Sequence, residues 1–242
     1  MVNAFYGVTN EDSFAGAMQE ALNQVKVGGI FLGDNLFTFH KNLGFLHDEA
    51  FVTAFNTHAT GRHEQAAMWR IYTLCWAAKR SLRVPGDFVE CACYKGTTAR
   101  IVVDYVNFAS QDRSYYLYDL FDHAPEAKRL KLDSHSPELY EQVRTRFDDI
   151  ANVNVTRGKV PDILHEVAPA TIAMMHIDLN DVTAELGALE MLFERLSPGG
   201  TLVLDDFGWL GYQAQQKAEV AFFAERGYDV LEMPTGQGLV IK

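Results

Sequence analysis

The C-terminal stretch YDVLEMPTGQGLVIK (228–242) decides the fold. Two apolar runs, 228–234 and 238–242, flank Thr235-Gly236-Gln237, the pattern of an antiparallel hairpin. Working back from it, strand-like runs at 87–92, 114–119, 152–157, 171–178 and 201–206 alternate with helical patterns. The helices fall at 97–108, 137–149, a short piece at 161–167, 182–196 and 212–226. Such alternation builds a mostly parallel sheet with helices on both faces. The expected fold is therefore α/β: a doubly wound, mostly parallel sheet finished by a C-terminal antiparallel hairpin. An ordinary nicotinamide-binding domain would end on a sixth parallel strand instead.

Further upstream the pattern changes. Helical spacing is read at 11–25, 48–57 and 62–82, with Pro85-Gly86 stopping the last helix. The segment 27–47, rich in Gly, Asn and aromatics, reads as irregular, and Ser197-Pro198-Gly199-Gly200 reads as a tight turn. The organisation expected is an N-terminal helical extension, 1–83, ahead of the sheet domain, 84–242.

Composition narrows the partners. The chain has 242 residues, 48% of them hydrophobic, enough for one sizeable core. No apolar run is long enough to span a membrane, and the N-terminus lacks the basic start and apolar stretch of a secretory signal. The net charge of -11 argues against nucleic acid, because phosphate backbones are bound by clustered Lys and Arg. Cys75, Cys91 and Cys93 lie in apolar runs with no disulfide-like spacing, which points to a reducing cytoplasm. A small-molecule partner fits best, and the N-terminal helices make a homodimer an expectation.

In open α/β sheets, ligands bind beyond the carboxyl ends of the strands. Those ends carry Glu90, Asp119, Asp178 and Asp205-Asp206. The first strand–helix turn, Glu90-Cys91-Ala92-Cys93-Tyr94-Lys95-Gly96-Thr97-Thr98, keeps only Gly96. A dinucleotide fingerprint needs more glycines for a pyrophosphate to approach. A cofactor without one is favoured, and S-adenosylmethionine is such a molecule. Glu90 would balance its ammonium, and the helix N-terminus at Gly96 and Thr97 would receive its carboxylate. Asp119, in Tyr118-Asp119-Leu120-Phe121, would accept hydrogen bonds from the ribose, with Gly158 near the adenine edge. The competing reading of each is a helix cap or a plain turn.

Asp178, Asp205 and Asp206 end two strands expected to lie about 4.8 Å apart. Carboxylates that close need a proton, a basic residue or a cation. Oxygen-only ligands suit Mg²⁺, Mn²⁺ or Ca²⁺ better than zinc. His176 shares a strand face with Asp178 and is a candidate base, although a buried structural His is the commoner case. His63 and Glu64, opening the long helix, could line an acceptor pocket.

The motifs Gly86-Asp87-Phe88-Val89-Glu90-Cys91, Tyr118-Asp119-Leu120-Phe121, His176-Ile177-Asp178-Leu179-Asn180, Leu196-Ser197-Pro198-Gly199-Gly200 and Leu204-Asp205-Asp206-Phe207-Gly208 resemble the macrocin O-methyltransferase (TylF-type) family over about residues 60–242. The resemblance implies a Rossmann-like class I methyltransferase sheet, S-adenosylmethionine as donor, Mg²⁺, and sugar or natural-product hydroxyls as acceptors. By position it places Glu90, Ala92, Tyr94, Gly96, Thr97, Asp119, Leu120, Phe121, Gly158 and Asp178 at the cofactor. Asp178, Asp205 and Asp206 fall at the metal, and Asp178 with His176 at the chemistry. Ala92 departs from the usual glycine, and Asn180 from a usual acidic residue. A missing negative charge weakens a cation site, so a metal-independent enzyme is the alternative, followed by a non-catalytic cofactor-binding module.

Overall fold

The computed structural model describes residues 4–26, 28–122, 135–136 and 138–242. The chain divides into two compact units, Met1–Tyr72 and Thr73–Lys242.

In the first unit, α1 (Glu11–Leu22) starts at Asn10, whose side chain accepts the Ser13 amide. The segment expected to be irregular instead contains a short hairpin, β1 (Phe31–Gly33) and β2 (Leu36–Thr38). Its two turn residues, Asp34 and Asn35, both take positive φ (51° and 58°). That is the two-residue hairpin turn whose twist matches the strands, and Asn and Asp tolerate it best after Gly. Gly33 is required there, because a Cβ would lie 2.7 Å from the Ala66 carbonyl oxygen. The helix α2 (Glu49–His58) is capped by Asp48, which accepts the Phe51 amide. The single helix expected over 62–82 is two, α3 (Arg62–Ala66) and α4 (Met68–Ser81). Ala67, at ψ 16°, departs from helical dihedrals between them, while its amide still bonds the His63 carbonyl and its carbonyl the Ile71 amide. Phe45 packs its ring on Phe31, Phe51, Trp69 and Tyr72, giving this unit an aromatic core.

The second unit runs β3 (Asp87–Cys91), α5 (Thr97–Tyr105), β4 (Tyr115–Asp119), α6 (Leu139–Arg146), β5 (Val153–Arg157), α7 (Leu164–Val167), β6 (Ile172–Ile177), α8 (Val182–Leu192), β7 (Leu196–Leu204), α9 (Gln213–Glu225), β8 (Leu231–Glu232) and β9 (Gly238–Ile241). The sheet order is β5-β4-β3-β6-β7-β9-β8. The first five strands pair in parallel, and β9 pairs antiparallel with β7 and β8. This is the expected doubly wound sheet with its terminal hairpin. The helix expected over 137–149 is observed as α6, and residue 137 lies outside the described residues.

One turn was misplaced by its composition. Ser197-Pro198-Gly199-Gly200 lies inside β7, where pairing jumps from Ile172↔Leu196 to Met174↔Thr201. The extra residues bulge out with Gly199 at φ 82°, while its amide still bonds the Lys242 carbonyl at 2.6 Å. Ser197 Oγ donates to the Pro85 carbonyl, so the bulge is tied back to the loop before β3.

Alternation along the strands separates two chemistries. One face presents Val89, Cys91, Tyr118, Met175, Ile177, Leu202, Leu204 and Val240 to Leu189, Leu192 and Phe223 of the covering helices in one apolar core. The other face carries Tyr115, Glu90 and His176, all buried. Among the described residues no helix is long and apolar enough to cross a membrane.

Candidate functional site

The site is built on the carboxyl ends of β4, β3, β6 and β7. The hydrogen-bond ladder continues one residue past the strands: Ala92 N to Tyr118 O (2.7 Å), Gly158 N to Asp119 O (2.9 Å), Asp178 N to Cys91 O (3.1 Å) and Asp205 N to Ile177 O (3.0 Å). These bonds bring the backbone of Ala92, Asp119, Asp178 and Asp205 onto one rim.

The turn after β3 is tightly wound. Ala92 (φ 71°), Tyr94 (φ 48°) and Gly96 (φ 68°) all take the left-handed region. Ala92 and Tyr94 pay for this with a side chain, a strain of the kind stored at ligand-binding turns. Gly96 has a second reason to be glycine: a Cβ would lie 2.9 Å from the Phe147 ring. Helix α5 begins at buried Thr97, directly after Gly96, which has no side chain to cap it, and its first-turn N–H groups point toward the rim end of the turn.

Asp119 accepts the Tyr94 amide on Oδ2 and the Phe121 amide on Oδ1, both at 2.7 Å. Burial raises its pKa, and those two amides pull it back down. Asp119 thus locks the β3 and β4 turns together. Leu120 is half-buried, and Phe121 (φ 55°) is buried against Tyr140, centroids 5.3 Å apart. At the end of β5, Gly158 leaves room for Ile163, whose Cγ2 would lie 2.3 Å from an added Cβ.

Glu90 and His176 pair in register on β3 and β6, below the rim. Tyr115 Oη donates to Glu90 Oε2 at 2.6 Å. His176 stands between two carboxylates, with Nδ1 3.6 Å from Glu90 Oε1 and Nε2 3.5 Å from Asp205 Oδ1. These are ion-pair distances, longer than good hydrogen bonds. Burial alone would lower the imidazole pKa, but Asp205 and Glu90 outweigh it and hold it well above the usual value. His176 is 4% exposed and bridges the two carboxylates.

Asp178 is half-buried on the rim, its Oδ1 accepting Asn180 Nδ2 at 3.0 Å. Its loop is pinned from within by Glu185 Oε1, which accepts the amides of Leu179 (2.8 Å) and Asn180 (3.3 Å). Asp206 is half-buried beside it in sequence to Asp205. Asp205 is turned to His176 and to Gln237 Nε2 (2.9 Å), and Asp178 to Asn180. Among the described residues no three Asp, Glu, His or Cys side chains are gathered to share an ion.

The remaining expectations resolve locally. Glu64 accepts the Gly61 amide at 2.8 Å at the start of α3, and His63 is held by Tyr6 Oη at 3.1 Å. Cys75, Cys91 and Cys93 are buried thiols outside any disulfide; β3 ends at Cys91, so Cys93 lies beyond the strand. Sequence reading missed Tyr115 and Gln237, because a Tyr inside a strand and a Gln in a turn carry no spacing signal.

The profile of the Macrocin-O-methyltransferase (TylF) family matches residues 68–228. The chain is 28% identical over 164 residues to the 8-demethyl-8-(2,3-dimethoxy-alpha-L-rhamnosyl)-tetracenomycin-C 4'-O-methyltransferase of Streptomyces olivaceus, covering 60% of this chain and 62% of that protein. It thus spans about three fifths of that relative's length. Among solved structures, the O-methyltransferase NovP superposes with TM-score 0.65 at 16% identity, over 81% of this chain and 98% of that one. Apo CalS11, a TDP-rhamnose 3'-O-methyltransferase of calicheamicin biosynthesis, gives 0.58 at 13% identity, over 98% and 96%. At those identities the two structures speak for the fold alone. With its sheet order, its rim of carboxylates and a family profile matching residues 68–228, this chain belongs to the macrocin O-methyltransferase (TylF) family.

Proposed function

We propose that the protein methylates a hydroxyl of a sugar, or of a sugar-bearing natural product, with S-adenosylmethionine as donor. The observation that carries the reading is the rim itself. Glu90 and Asp119 are buried carboxylates at the ends of adjacent strands, beside the turn that leads into the N-terminus of α5. A zwitterionic nucleoside needs this donor set: negative charge for an ammonium, helix N–H groups for a carboxylate, and an acceptor for ribose hydroxyls. Ala92, Tyr94, Gly96, Thr97, Leu120, Phe121 and Gly158 shape the same cleft. The substrate in the name of the Streptomyces olivaceus relative, a rhamnosyl tetracenomycin, supports a deoxysugar acceptor.

Bound S-adenosylmethionine would supply a methyl group already activated as a sulfonium. The chain's own part is alignment and proton removal. Alignment of a bound hydroxyl is worth up to ~7–11 kcal/mol in favourable cases. Asp178, half-exposed on the rim, takes the hydroxyl proton as the oxygen attacks, and Asn180 Nδ2 orients that carboxylate. The C–O bond forms as the C–S bond breaks, and S-adenosylhomocysteine leaves. Because Asp205 Oδ1 is taken up by Gln237 and faces His176, the reaction is read here in its metal-independent version. The enzyme is read as cytoplasmic.

The test is direct. Purified protein is titrated with S-adenosylmethionine by calorimetry, then incubated with TDP-rhamnose and rhamnosylated aglycones. A product heavier by one methylene is expected. Absence of donor binding would sink the reading.

A further inference from the structure

The turn Thr235-Gly236-Gln237 buries an amide where a surface hairpin needs none. Gln237 is fully buried, and Nε2 donates to Asp205 Oδ1 at 2.9 Å. Thr235, also buried, donates through Oγ1 to Gln237 Oε1 at 2.9 Å. With its oxygen occupied by a donor, the amide must present its NH₂ end to Asp205. The hairpin backbone is pressed against the loop after β7 to make this reach. Gly208 N bonds Gly236 O at 2.7 Å, and Met233 N bonds Gln237 O at 2.8 Å. An added Cβ would lie 2.4 Å from Trp209 Nε1 at Gly236, and 2.8 Å from the Phe207 ring at Gly238. Beyond Asp205 the polar line continues to His176, Glu90 and Tyr115. It crosses the sheet on one face, from the C-terminal hairpin to β4.

We propose that Gln237, oriented by the Thr235 hydroxyl, is a positioning residue that holds Asp205 against His176 and so fixes Glu90, at the donor end, relative to Asp178, at the acceptor end. Desolvating an amide and a hydroxyl costs free energy unless they are hydrogen-bonded, and here the hydroxyl donates to the amide oxygen and the amide NH₂ to the carboxylate. A line held at both ends keeps the strand termini of β3, β6 and β7 in a fixed relation, which is what alignment of two bound reactants requires. The kinetic part of this inference rests on the methyl-transfer reading above.

The experiment compares full-length Gln237→Leu, Thr235→Val and Thr235→Ser with the parent. Donor affinity is read by calorimetry, kcat and acceptor KM with a methylated sugar product, and the His176 ring nitrogens by ¹⁵N NMR. Gln237→Leu is expected to lower kcat on the order of tenfold to a hundredfold, with donor Kd changed less than about threefold. The His176 Nε2 resonance should move. Thr235→Val should lose part of kcat and Thr235→Ser recover it, which a packing role would not produce. An unchanged kcat and unchanged imidazole resonances in Gln237→Leu would overturn the proposal; so would equal losses in the two Thr235 variants, the arm that decides should Gln237→Leu fail to fold. If the parent methylates no sugar, the functional reading falls, and the His176 resonances alone then decide whether the line from Gln237 exists.

Discussion

Glu185, in the first turn of α8, lies within hydrogen-bonding reach of Glu219 on α9, and both carboxyl groups are buried. Glu185 Oε2 and both oxygens of Glu219 are shut off from solvent. Two carboxylates cannot both stay ionised there, so the pair shares a proton. Burial raises the Glu185 pKa well above the usual value, with the Glu219 charge adding to it. Burial also raises Glu219, to about 7, with the charge of Asp206 contributing and the hydrogen bonds of Glu185 and Gln215 opposing.

The sign of the pH dependence follows. A carboxyl whose folded pKa is raised binds more protons folded than unfolded, so its contribution is full below the unfolded pKa and is lost as pH rises through about 7. Glu219→Gln removes that loss. At pH 8 the variant should be more stable than the parent by about 1–3 kcal/mol, shrinking as pH falls toward 5. Denaturant melts at several pH values check this, and a pH-independent difference would contradict it.

Asp119 holds two turns at once through the Tyr94 and Phe121 amides. Removing it leaves two inward amides without their acceptor, each worth about 1–3 kcal/mol when stranded. Asp119→Ala should therefore lose about 2–4 kcal/mol and weaken S-adenosylmethionine binding at least tenfold. Asp119→Asn, which keeps one acceptor oxygen, should lose less stability. Melting curves and calorimetry separate the two effects, and equal losses in both variants would count against a turn-locking role.

What could be read in advance follows from how parallel sheets are made. Strand ends meet on one edge, so Glu90, Asp119, Asp178 and Asp205 could be placed together from hydropathy alone. His176 and Asp178 share a face because strand side chains alternate. The direction in which a carboxylate turns is decided by partners distant in sequence. Asp205 points inward because Gln237, thirty-two positions away, reaches it, and nothing local distinguishes that Gln from an ordinary turn residue. The Glu185–Glu219 pair was hidden for the same reason, as the two belong to different helices. Glycine-rich segments misled in opposite ways: Ser197-Pro198-Gly199-Gly200 is a bulge within a strand, and 31–38 hides a hairpin.

Arg113 is a structural anchor that composition does not announce. Its Nη1 donates to the carbonyls of Ser81, Val84 and Gly86 at 3.0–3.2 Å, and Nη2 to that of Leu82 at 3.2 Å. It thereby caps the end of α4 and fixes the loop into β3. Arg113→Ala strands several acceptors and should cost about 2–4 kcal/mol without changing donor affinity in the protein that remains folded. A loss under about 0.5 kcal/mol would show that water replaces the guanidinium freely.

Asp178 is the rim carboxylate left facing outward once Asp205 is held by Gln237 and His176. Asp178→Ala should abolish methyl transfer while far-UV CD and the melting temperature stay near the parent's, because Asp178 is half-buried on the rim and not part of the apolar core. The same geometry bears on cations. With Asp205 committed inward and an amide at 180, the rim offers Mg²⁺ too few carboxylates for a tight site in the substrate-free protein. Calorimetric titration with Mg²⁺ should therefore reveal no saturable site tighter than about 0.1 mM, the weak end of oxygen-ligand sites. Asn180→Asp, which restores a second carboxylate beside Asp178, should strengthen Mg²⁺ binding. A tight site in the parent, lost in Asp205→Asn, would mean that Asp205 turns outward to a metal, and would reassign the proton-removing step from Asp178 acting alone.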